Sequence, residues 1–150
     1  MTGRLVEAAA RVLDRAAGAL KRDNPGERPE HLRTGQRGED DAYFYLRRLG
    51  YVMVARNWRS LRHRGELDLV GWDGDVLCFV EVKSRTTHQV APAEAAVDGQ
   101  KRRDLGAVAR DFLHHIKGNP EARFDIISVY YEASEKTPHI TLFKNAFPMP

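Results

Sequence analysis

The feature that most constrains the fold of this chain is a pair of apolar segments, residues 67–70 and 76–82, on either side of an Asp73-Gly74 dipeptide. Both segments are rich in residues that favour β-strands, and Asp-Gly is a strong signal for a tight turn between antiparallel strands. The sequence therefore predicts a β-hairpin in which Asp73 and Gly74 are the two central residues of the turn.

This hairpin would bring several charged residues onto one face of a sheet. Counting back from the turn places Phe79 opposite Asp68. It places Glu81 opposite Glu66 and diagonal to Asp68, with Lys83 following on the same face. Opposed residues lie about 4.5–5.5 Å apart at Cβ and diagonal residues about 7–8 Å. A longer turn would change this register. The other face would be apolar, with Leu67, Leu69, Val76, Cys78, Val80 and Val82.

Carboxylates that face one another across a sheet repel, so this arrangement needs a compensating charge. Three kinds of compensation fit the residues. A divalent cation can be bound by the carboxylate oxygens, a proton can be shared between two acids, or the ammonium group of Lys83 can pair with them. The pattern alone leaves all three open.

Composition sets broad limits on the class of protein. A chain of 150 residues with 42% hydrophobic content is the usual size of one globular domain. Its net charge of +3 permits nucleic-acid binding without requiring it. The single cysteine, Cys78, lies in an apolar strand pattern and fits a reducing compartment. No signal peptide and no segment long enough to cross a membrane are recognised, so we expect a soluble cytoplasmic protein.

The chain divides into an N-terminal extension, residues 1–33, and a main domain, residues 34–150. Apolar residues recur at helical spacing over residues 4–21, which predicts an amphipathic helix. Residues 22–33 are charged and contain prolines, which is typical of a linker. The helix is expected to pack on the domain, or on a second copy or another protein. Its polar face carries both signs of charge, which disfavours binding to a membrane surface.

The main domain reads as an α/β sandwich around a mixed sheet. A helix capped by Thr34 and ended by Gly50 precedes a strand over residues 51–58, a basic loop and the hairpin. A second helix is predicted over residues 93–117, interrupted near Gly99. It would connect the hairpin to a parallel strand over residues 124–131, and residues 139–143 would add an antiparallel edge strand.

An aspartate on one strand and a Glu-x-Lys sequence on its hairpin partner suit the metal-assisted hydrolysis of phosphodiesters. Carboxylates can hold Mg²⁺ beside the scissile phosphate, and the ammonium group can offset developing charge or orient water. Here Asp68 stands thirteen residues before Glu81, and Lys83 completes the pattern. Glu-x-Lys alone is common, and the paired aspartate makes the pattern more specific.

Residues 34–131 resemble the YraN family of bacterial proteins, which belongs to the PD-(D/E)xK nuclease superfamily with its restriction-endonuclease-like fold. The matching residues are Gly35, Gly38, Glu39, Tyr45, Leu46, Gly50, Tyr51, Arg56, Asn57, residues 65–70, residues 79–83, Ala96, Val97, Lys101, Arg123, Phe124 and Asp125. The N-terminal extension lies outside this resemblance.

The resemblance implies a metal-dependent nuclease that acts on DNA, with repair or recombination as the expected setting. Asp68, Glu81 and Glu39 would ligate Mg²⁺ or Mn²⁺, and Lys83 would be the catalytic lysine. Glu39 also stands in the first turn of a predicted helix, where any acid is favoured by the helix dipole. Glu66 is a further candidate ligand, with pairing to a loop arginine as the alternative.

Basic and polar residues on both sides of the acids predict contacts with nucleic acid. The basic residues that precede the acids are Arg56, Arg62 and Arg64. Their alternative role is an ordinary solvated surface. Gln100 and Lys101 occupy the region where related nucleases carry a polar motif that approaches substrate. Two other functions compete with the nuclease: a nucleic-acid-binding module without cleavage, and a protein-interaction scaffold that uses the N-terminal helix.

Overall fold

Two helices and five strands make up the part of the chain that the structure, a computed structural model, describes: residues 29–86 and 97–149. In chain order they are α1 (Glu30–Arg48), β1 (Val52–Arg59), β2 (Glu66–Asp73), β3 (Val76–Thr86), α2 (Gly99–His114), β4 (Ala122–Tyr131) and β5 (His139–Phe147). The predicted N-terminal helix lies outside the described residues. Neither described helix is long and apolar enough to span a membrane.

The strands form one sheet in the order β1-β2-β3-β4-β5. The β3–β4 pair is parallel and the other three pairs are antiparallel. The connection from β3 to β4 runs through α2, because parallel neighbours need a crossover. The predicted α/β sandwich around a mixed sheet is therefore confirmed, with an edge strand β5 that extends four residues beyond the predicted 139–143.

Each face of the sheet has its own apolar core. On one face, Phe79 packs with Leu105 and Phe112 of α2. On the other face, Val80 packs with Leu46 of α1. The two helices thus cover opposite faces, which is why β3 is buried on both sides over residues 77–81.

The first helix begins earlier than predicted. Thr34 is not its N-terminal cap, because its hydroxyl group donates a hydrogen bond to the Glu30 carbonyl one turn back, at 3.0 Å. The first turn starts after Pro29, whose carbonyl accepts from the backbone amides of Leu32 and Arg33. Residues 30–33, predicted as linker, are therefore helical, and an acidic residue in the first turn suits the helix dipole.

The second helix begins where the sequence predicted an interruption. Asp98 is its N-terminal cap and accepts a hydrogen bond from the backbone amide of Lys101 at 2.8 Å. The helix runs from Gly99 to His114 and so ends three residues before the predicted end at Lys117. Residues 93–96 of the predicted helix lie outside the described residues.

The turn of the β2–β3 hairpin is centred one residue later than predicted. Asp73 pairs with Val76, so Gly74 and Asp75 are the central residues. Gly74 has a φ of +60°, a conformation that glycine adopts without strain at the first central position of a hairpin turn. The prediction that Asp73 occupies the turn centre is therefore wrong.

This shift moves the strands by two residues relative to the predicted register. Phe79 pairs with Val70 and not with Asp68. The predicted pairing of Glu81 with Glu66 is wrong for the same reason. Continuing the ladder brings Asp68 level with Glu81, closer than the diagonal relation that the sequence predicted. Because the shift is even, it does not exchange the faces of the strand.

Regular alternation is interrupted in β2 at Asp68. Leu67 packs in the core beneath α2, whereas Leu69 packs in the core beneath α1. The prediction that both leucines share one face is therefore wrong. Asn57, level with Asp68 on β1, has a φ of +48°, which is uncommon for a residue other than glycine. The irregularity occurs at the carboxylate that the sequence marked as a ligand.

Candidate functional site

The centre of the candidate site is formed by Asp68 of β2 and Glu81 of β3. The Oδ2 atom of Asp68 accepts a hydrogen bond from the backbone amide of Val82 at 2.8 Å. Glu81 is 5% exposed. Burial, and then the neighbouring charge of Glu81, raise the pKa of Asp68 well above its usual range, although the Val82 amide opposes the shift. The two carboxylates are thus crowded in a poorly solvated place.

Two lysines share one oxygen of Glu81. Lys83 Nζ lies 3.0 Å from Glu81 Oε1, and Lys101 Nζ donates a hydrogen bond to the same atom. Burial lowers the pKa of Lys83, against the attraction of Glu81. Burial also opposes the charge of Lys101, but the hydrogen bond with Glu81 and the attraction of neighbouring carboxylates together outweigh burial and raise the pKa of Lys101. The structure therefore brings Lys83 to the acid that the sequence predicted.

Glu39 of α1 reaches the same site from the opposite layer. Its Oε2 atom accepts a hydrogen bond from Asn57 Nδ2 at 3.0 Å. Burial, followed by repulsion from Glu66, raises the pKa of Glu39 to about 7, with a smaller contribution from Glu81. Glu39 is therefore close enough to the strand acids to feel their charge, as the sequence predicted.

Three consecutive acids of α1 have different tasks, and two of them fix the helix on the sheet. Asp40 pairs with Arg56 of β1. Asp41 accepts a hydrogen bond from the Tyr131 hydroxyl group of β4 at 2.5 Å. These two anchors lie on either side of the site along the sheet, so the orientation of Glu39 follows from its neighbours. Sequence reasoning did not separate these roles.

A close contact sets how deeply α1 lies against β3. A Cβ atom added at Gly38 would lie 1.6 Å from Ser84 Oγ and 2.8 Å from Ser84 Cβ. No side chain fits there without movement of the helix or the strand. The contact therefore fixes how closely the part of α1 that carries Glu39 lies against β3.

Glu66 pairs with an arginine, which is the alternative to metal ligation that the sequence indicated. Its Oε2 atom accepts hydrogen bonds from Arg59 at 2.8 Å and 2.7 Å. Its charge nevertheless contributes to the raised pKa of Glu39. Ligation of a metal by Glu66 stays a prediction.

The strand acids open into a cleft between the sheet and the start of α2. The residues that line it are Gly65, Glu66, Asp68, Glu81, Asp98, Gln100, Lys101, Asp104 and Leu105. The N-terminal turn of α2 thus forms one wall, and the irregular part of β2 forms the other.

The predicted nucleic-acid contacts fall into two structural classes. Arg62 and Arg64 are exposed in the loop between β1 and β2, which leads directly into the strand of Asp68. This loop is anchored by Ser60, whose hydroxyl group pairs with Asp111 of α2 at 2.5 Å and accepts the Arg62 amide at 3.0 Å. The arginines are therefore presented on an ordered loop that leads into β2, and Arg62 lines a separate pocket with Asp111 and His115 near the C-terminal end of α2.

The other predicted contacts are engaged within the protein. Arg56 pairs with Asp40 and lies 4.9 Å from the ring centre of Tyr43. Gln100 donates a hydrogen bond to Asp104 at 2.9 Å. Lys101 is bound to Glu81, and no sequence signal indicated that contact because the two residues are twenty positions apart. A role of these three residues in nucleic-acid binding stays a prediction.

The donor set fits a hard divalent cation. Asp68, Glu81 and Glu39 offer only carboxylate oxygens, the ligands that Mg²⁺ and Mn²⁺ prefer. Burial, and then the charges of neighbouring acids, raise the pKa of Asp68 and of Glu39, and a bound cation would oppose that rise. Their oxygens are not drawn together into one compact set: among the described residues, only Glu132, Glu135 and His139 have three such atoms within 4.8 Å of one another.

Comparisons with known proteins agree with the resemblance seen in the sequence. The family model described as "Uncharacterised protein family UPF0102" matches residues 38–129. This chain belongs to the UPF0102 family, the YraN family. The matched region contains Glu39, Asp68, Glu81, Lys83 and Lys101.

Individual relatives cover most of the chain. The UPF0102 protein of Koribacter versatilis is 55% identical over 119 residues, which are 79% of this chain and 82% of the relative. The UPF0102 protein of Solibacter usitatus is 45% identical over 137 residues, 91% of this chain and 98% of the relative. The UPF0102 protein of Herminiimonas arsenicoxydans is 42% identical over 95 residues, 63% of this chain and 75% of the relative.

Proposed function

We propose that this UPF0102 protein is a metal-dependent nuclease that hydrolyses phosphodiester bonds of DNA. The observation that carries the proposal is the neighbourhood of Glu81. This buried carboxylate has the Lys83 ammonium group 3.0 Å away, and after burial its charge is the next cause of the raised pKa of Asp68. A structural ion pair needs one acid and one base. The surplus of acids favours a place for a cation and a phosphate.

Asp68, Glu81 and Glu39 are the residues that would hold Mg²⁺ or Mn²⁺. When bound, such an ion supplies Lewis-acid stabilisation of the phosphoryl oxygens. The Val82 amide holds Asp68 Oδ2 in place, and the anchoring of α1 by Asp40 holds Glu39. These contacts pre-organise the ligands before substrate arrives.

Lys83 has the position required of a charge-stabilising group. It is 17% exposed and extends along the same face as Glu81, so its ammonium faces any phosphate that the carboxylates help to bind. In such a poorly solvated place a fixed positive charge stabilises the extra negative charge of the transition state more than it would in water. Lys83 would also orient the attacking water by donating a hydrogen bond to it.

The exposed arginines of the β1–β2 loop support DNA as the substrate. Arg62 and Arg64 precede the strand of Asp68 by only a few residues, and the Ser60 anchor keeps their loop against α2. Contacts from arginine to phosphates are independent of sequence and would position the backbone at the cleft.

A cleavage assay with matched variants tests this proposal. The full-length protein is incubated with linear, nicked, flap and four-way DNA in Mg²⁺, in Mn²⁺ and in chelator. The wild type should cut at least one substrate only with metal. Lys83→Ala should lower the rate by about two to three orders of magnitude, the scale for loss of one pre-organised charge-stabilising group.

Lys117→Ala serves as the control, because Lys117 is an exposed lysine beyond the end of α2. It should cut like the wild type. If Lys83→Ala cuts as fast as the wild type, Lys83 has no catalytic role. If purified wild type cuts none of the substrates under any condition, the nuclease proposal is wrong.

The second candidate is a nucleic-acid-binding module without cleavage. It is favoured by the two lysines on Glu81 Oε1, which already neutralise that carboxylate without metal. Binding of DNA without cleavage would support it. Replacing Arg62 and Arg64 by Ala should then flatten the salt dependence of binding, by roughly one unit of slope for each lost phosphate contact.

A further inference from the structure

One cation in the candidate site differs from the others in how easily it can move. Lys101 Nζ donates a hydrogen bond to Glu81 Oε1, on a carboxylate that is 5% exposed. A buried carboxylate is strongly unfavourable without a partner, so this contact stabilises the metal-free protein. The same oxygen belongs to the proposed metal-ligand set.

We propose that Lys101 is a displaceable counter-ion of Glu81: its ammonium group occupies the place of the divalent cation and has to leave before Glu81 can bind the metal. This inference rests on the proposed metal site and adds a competition between a residue of the protein and its cation. Lys101 would act as a positioning residue, since it changes how readily the site is loaded.

The surroundings of the two lysines decide which of them leaves. The Lys101 side chain is 41% exposed, whereas the Lys83 side chain is 17% exposed. Lys83 extends from the central strand β3 and is the less solvated of the two lysines. The ammonium of Lys101 can move into the cleft and regain water, so its displacement costs less.

The backbone of Lys101 does not need to move with the side chain. Its amide donates to Asp98 Oδ1 at 2.8 Å and so forms part of the N-terminal cap of α2. The cleft beside it is lined by Asp98 and Asp104, whose carboxylates offer new partners for the released ammonium. Rotation of one long side chain is therefore sufficient for exchange.

The competition makes a defined prediction for metal affinity. Removing the ammonium group of Lys101 removes the competitor, so the cation should bind more tightly. The gain should exceed the one expected from loss of a positive charge elsewhere on the same helical turn. Coupling between two ligands of one protein usually changes affinity about 5- to 150-fold. We expect an effect in that range for Lys101→Met.

The experiment measures binding of Mn²⁺ to the full-length protein by calorimetric titration in the absence of nucleic acid. Lys101→Met and Lys101→Gln are compared with Arg103→Met, which removes a positive charge from the same helical turn without contact to Glu81. Arg103 pairs instead with Gln100, at 2.8 Å. Both Lys101 variants should bind Mn²⁺ about 5- to 150-fold more tightly than the wild type, and Arg103→Met should show a much smaller change.

Unfolding by urea in chelator provides the second readout. Both Lys101 variants should unfold at a lower urea concentration than the wild type, and saturating Mn²⁺ should remove most of the difference. Equal or weaker Mn²⁺ binding by both Lys101 variants, relative to Arg103→Met, would overturn the inference.

These results separate this inference from the nuclease proposal. Tighter Mn²⁺ binding by the Lys101 variants supports the exchange even if no DNA is cut, and only the nuclease proposal then fails. Cleavage by the wild type together with unchanged affinity of the Lys101 variants overturns the exchange alone. Absence of Mn²⁺ binding by every protein overturns the exchange and the metal site together.

Discussion

The two ends of β2 carry acidic residues in opposite electrostatic situations. At the turn end, Asp73 accepts hydrogen bonds from Arg123 at 2.7 Å and from Lys144 at 2.8 Å. Those hydrogen bonds lower its pKa to about 2. Near the other end, burial and Glu81 raise the pKa of Asp68. The acid at the turn end, Asp73, thus belongs to a balanced group, in which cations of the protein match the carboxylates. Asp68 belongs to an unbalanced group, which is left with a surplus of carboxylates.

The balanced group is also a structural element of the sheet. Arg123 pairs with Asp125, which is 0% exposed, and its Nη2 atom donates to the Tyr51 hydroxyl group at 3.0 Å. Buried charges of this kind stabilise a fold only when every partner is present. The comparison teaches that aspartates matched by cations stabilise the packing of the sheet, whereas the unmatched acids near Asp68 are the ones that the nuclease proposal assigns to metal binding.

The largest expected effect comes from breaking the balanced group. Asp125→Ala removes the carboxylate that Arg123 and the Asn145 amide both use, and leaves a partly buried guanidinium group without its main partner. We expect a loss of about 3–5 kcal/mol in the free energy of unfolding, the scale for breaking a buried ion pair. Urea unfolding measures it, with Asp75→Ala at the exposed turn as the control. A loss no larger than that of the control would show that the group is not structural.

A substitution in the unbalanced group should have the opposite sign. Asp68→Asn keeps an oxygen that accepts the Val82 amide and removes a charge that is poorly solvated and repelled by Glu81. The metal-free protein should therefore gain about 0.5–2 kcal/mol, as expected for relief of a functional strain. Its stabilisation by Mn²⁺ should disappear. Destabilisation of the metal-free protein by Asp68→Asn would place Asp68 with the structural acids.

The smallest expected effect concerns acid unfolding. The pKa of Asp73 falls from 3.8 to about 2 on folding. The ionised carboxylate thus stabilises the folded state fully above pH 3.8, and this contribution is lost as the pH falls toward 2. As the pH falls through that window, the free energy of unfolding should decline less steeply in Asp73→Asn than in the wild type. The difference between the two slopes should correspond to the uptake of at most about one proton on unfolding. Asp75→Asn should follow the wild-type curve; identical slopes for all three proteins would contradict the role of Asp73.

The sequence predicted the layers and the strand order because those depend on local signals. Apolar periodicity identified both helices, and Asp-Gly identified the hairpin. The predicted register was wrong because the Asp73-Gly74-Asp75 sequence allows two turn centres, Asp73-Gly74 and Gly74-Asp75. The structure has the second, which leaves Asp73 in the strand, where it accepts hydrogen bonds from Arg123 and Lys144. Those partners are about 50 and 71 residues away along the chain, so no local pattern contains them.

The candidate site was predictable in its residues and not in its contacts. Glu39, Asp68, Glu81 and Lys83 were named from spacing and resemblance, and the structure brings them into one neighbourhood. The pairing of Lys101 with Glu81 was not predictable, because it depends on the position of α2 over the sheet. Asp125 was expected to fix the end of its strand, with support of the site as the alternative, and the structure pairs it with Arg123.

The hydrogen bond from Val82 to Asp68 gives this protein a built-in spectroscopic reporter. A backbone amide that donates to a carboxylate, at 2.8 Å here, has a proton resonance that responds to the charge on that oxygen. The Val82 cross-peak in a ¹H–¹⁵N correlation spectrum would therefore follow Asp68 directly during a titration with a diamagnetic ion such as Mg²⁺. Occupancy of the proposed metal site could then be read from one nucleus, without a substrate and without turnover.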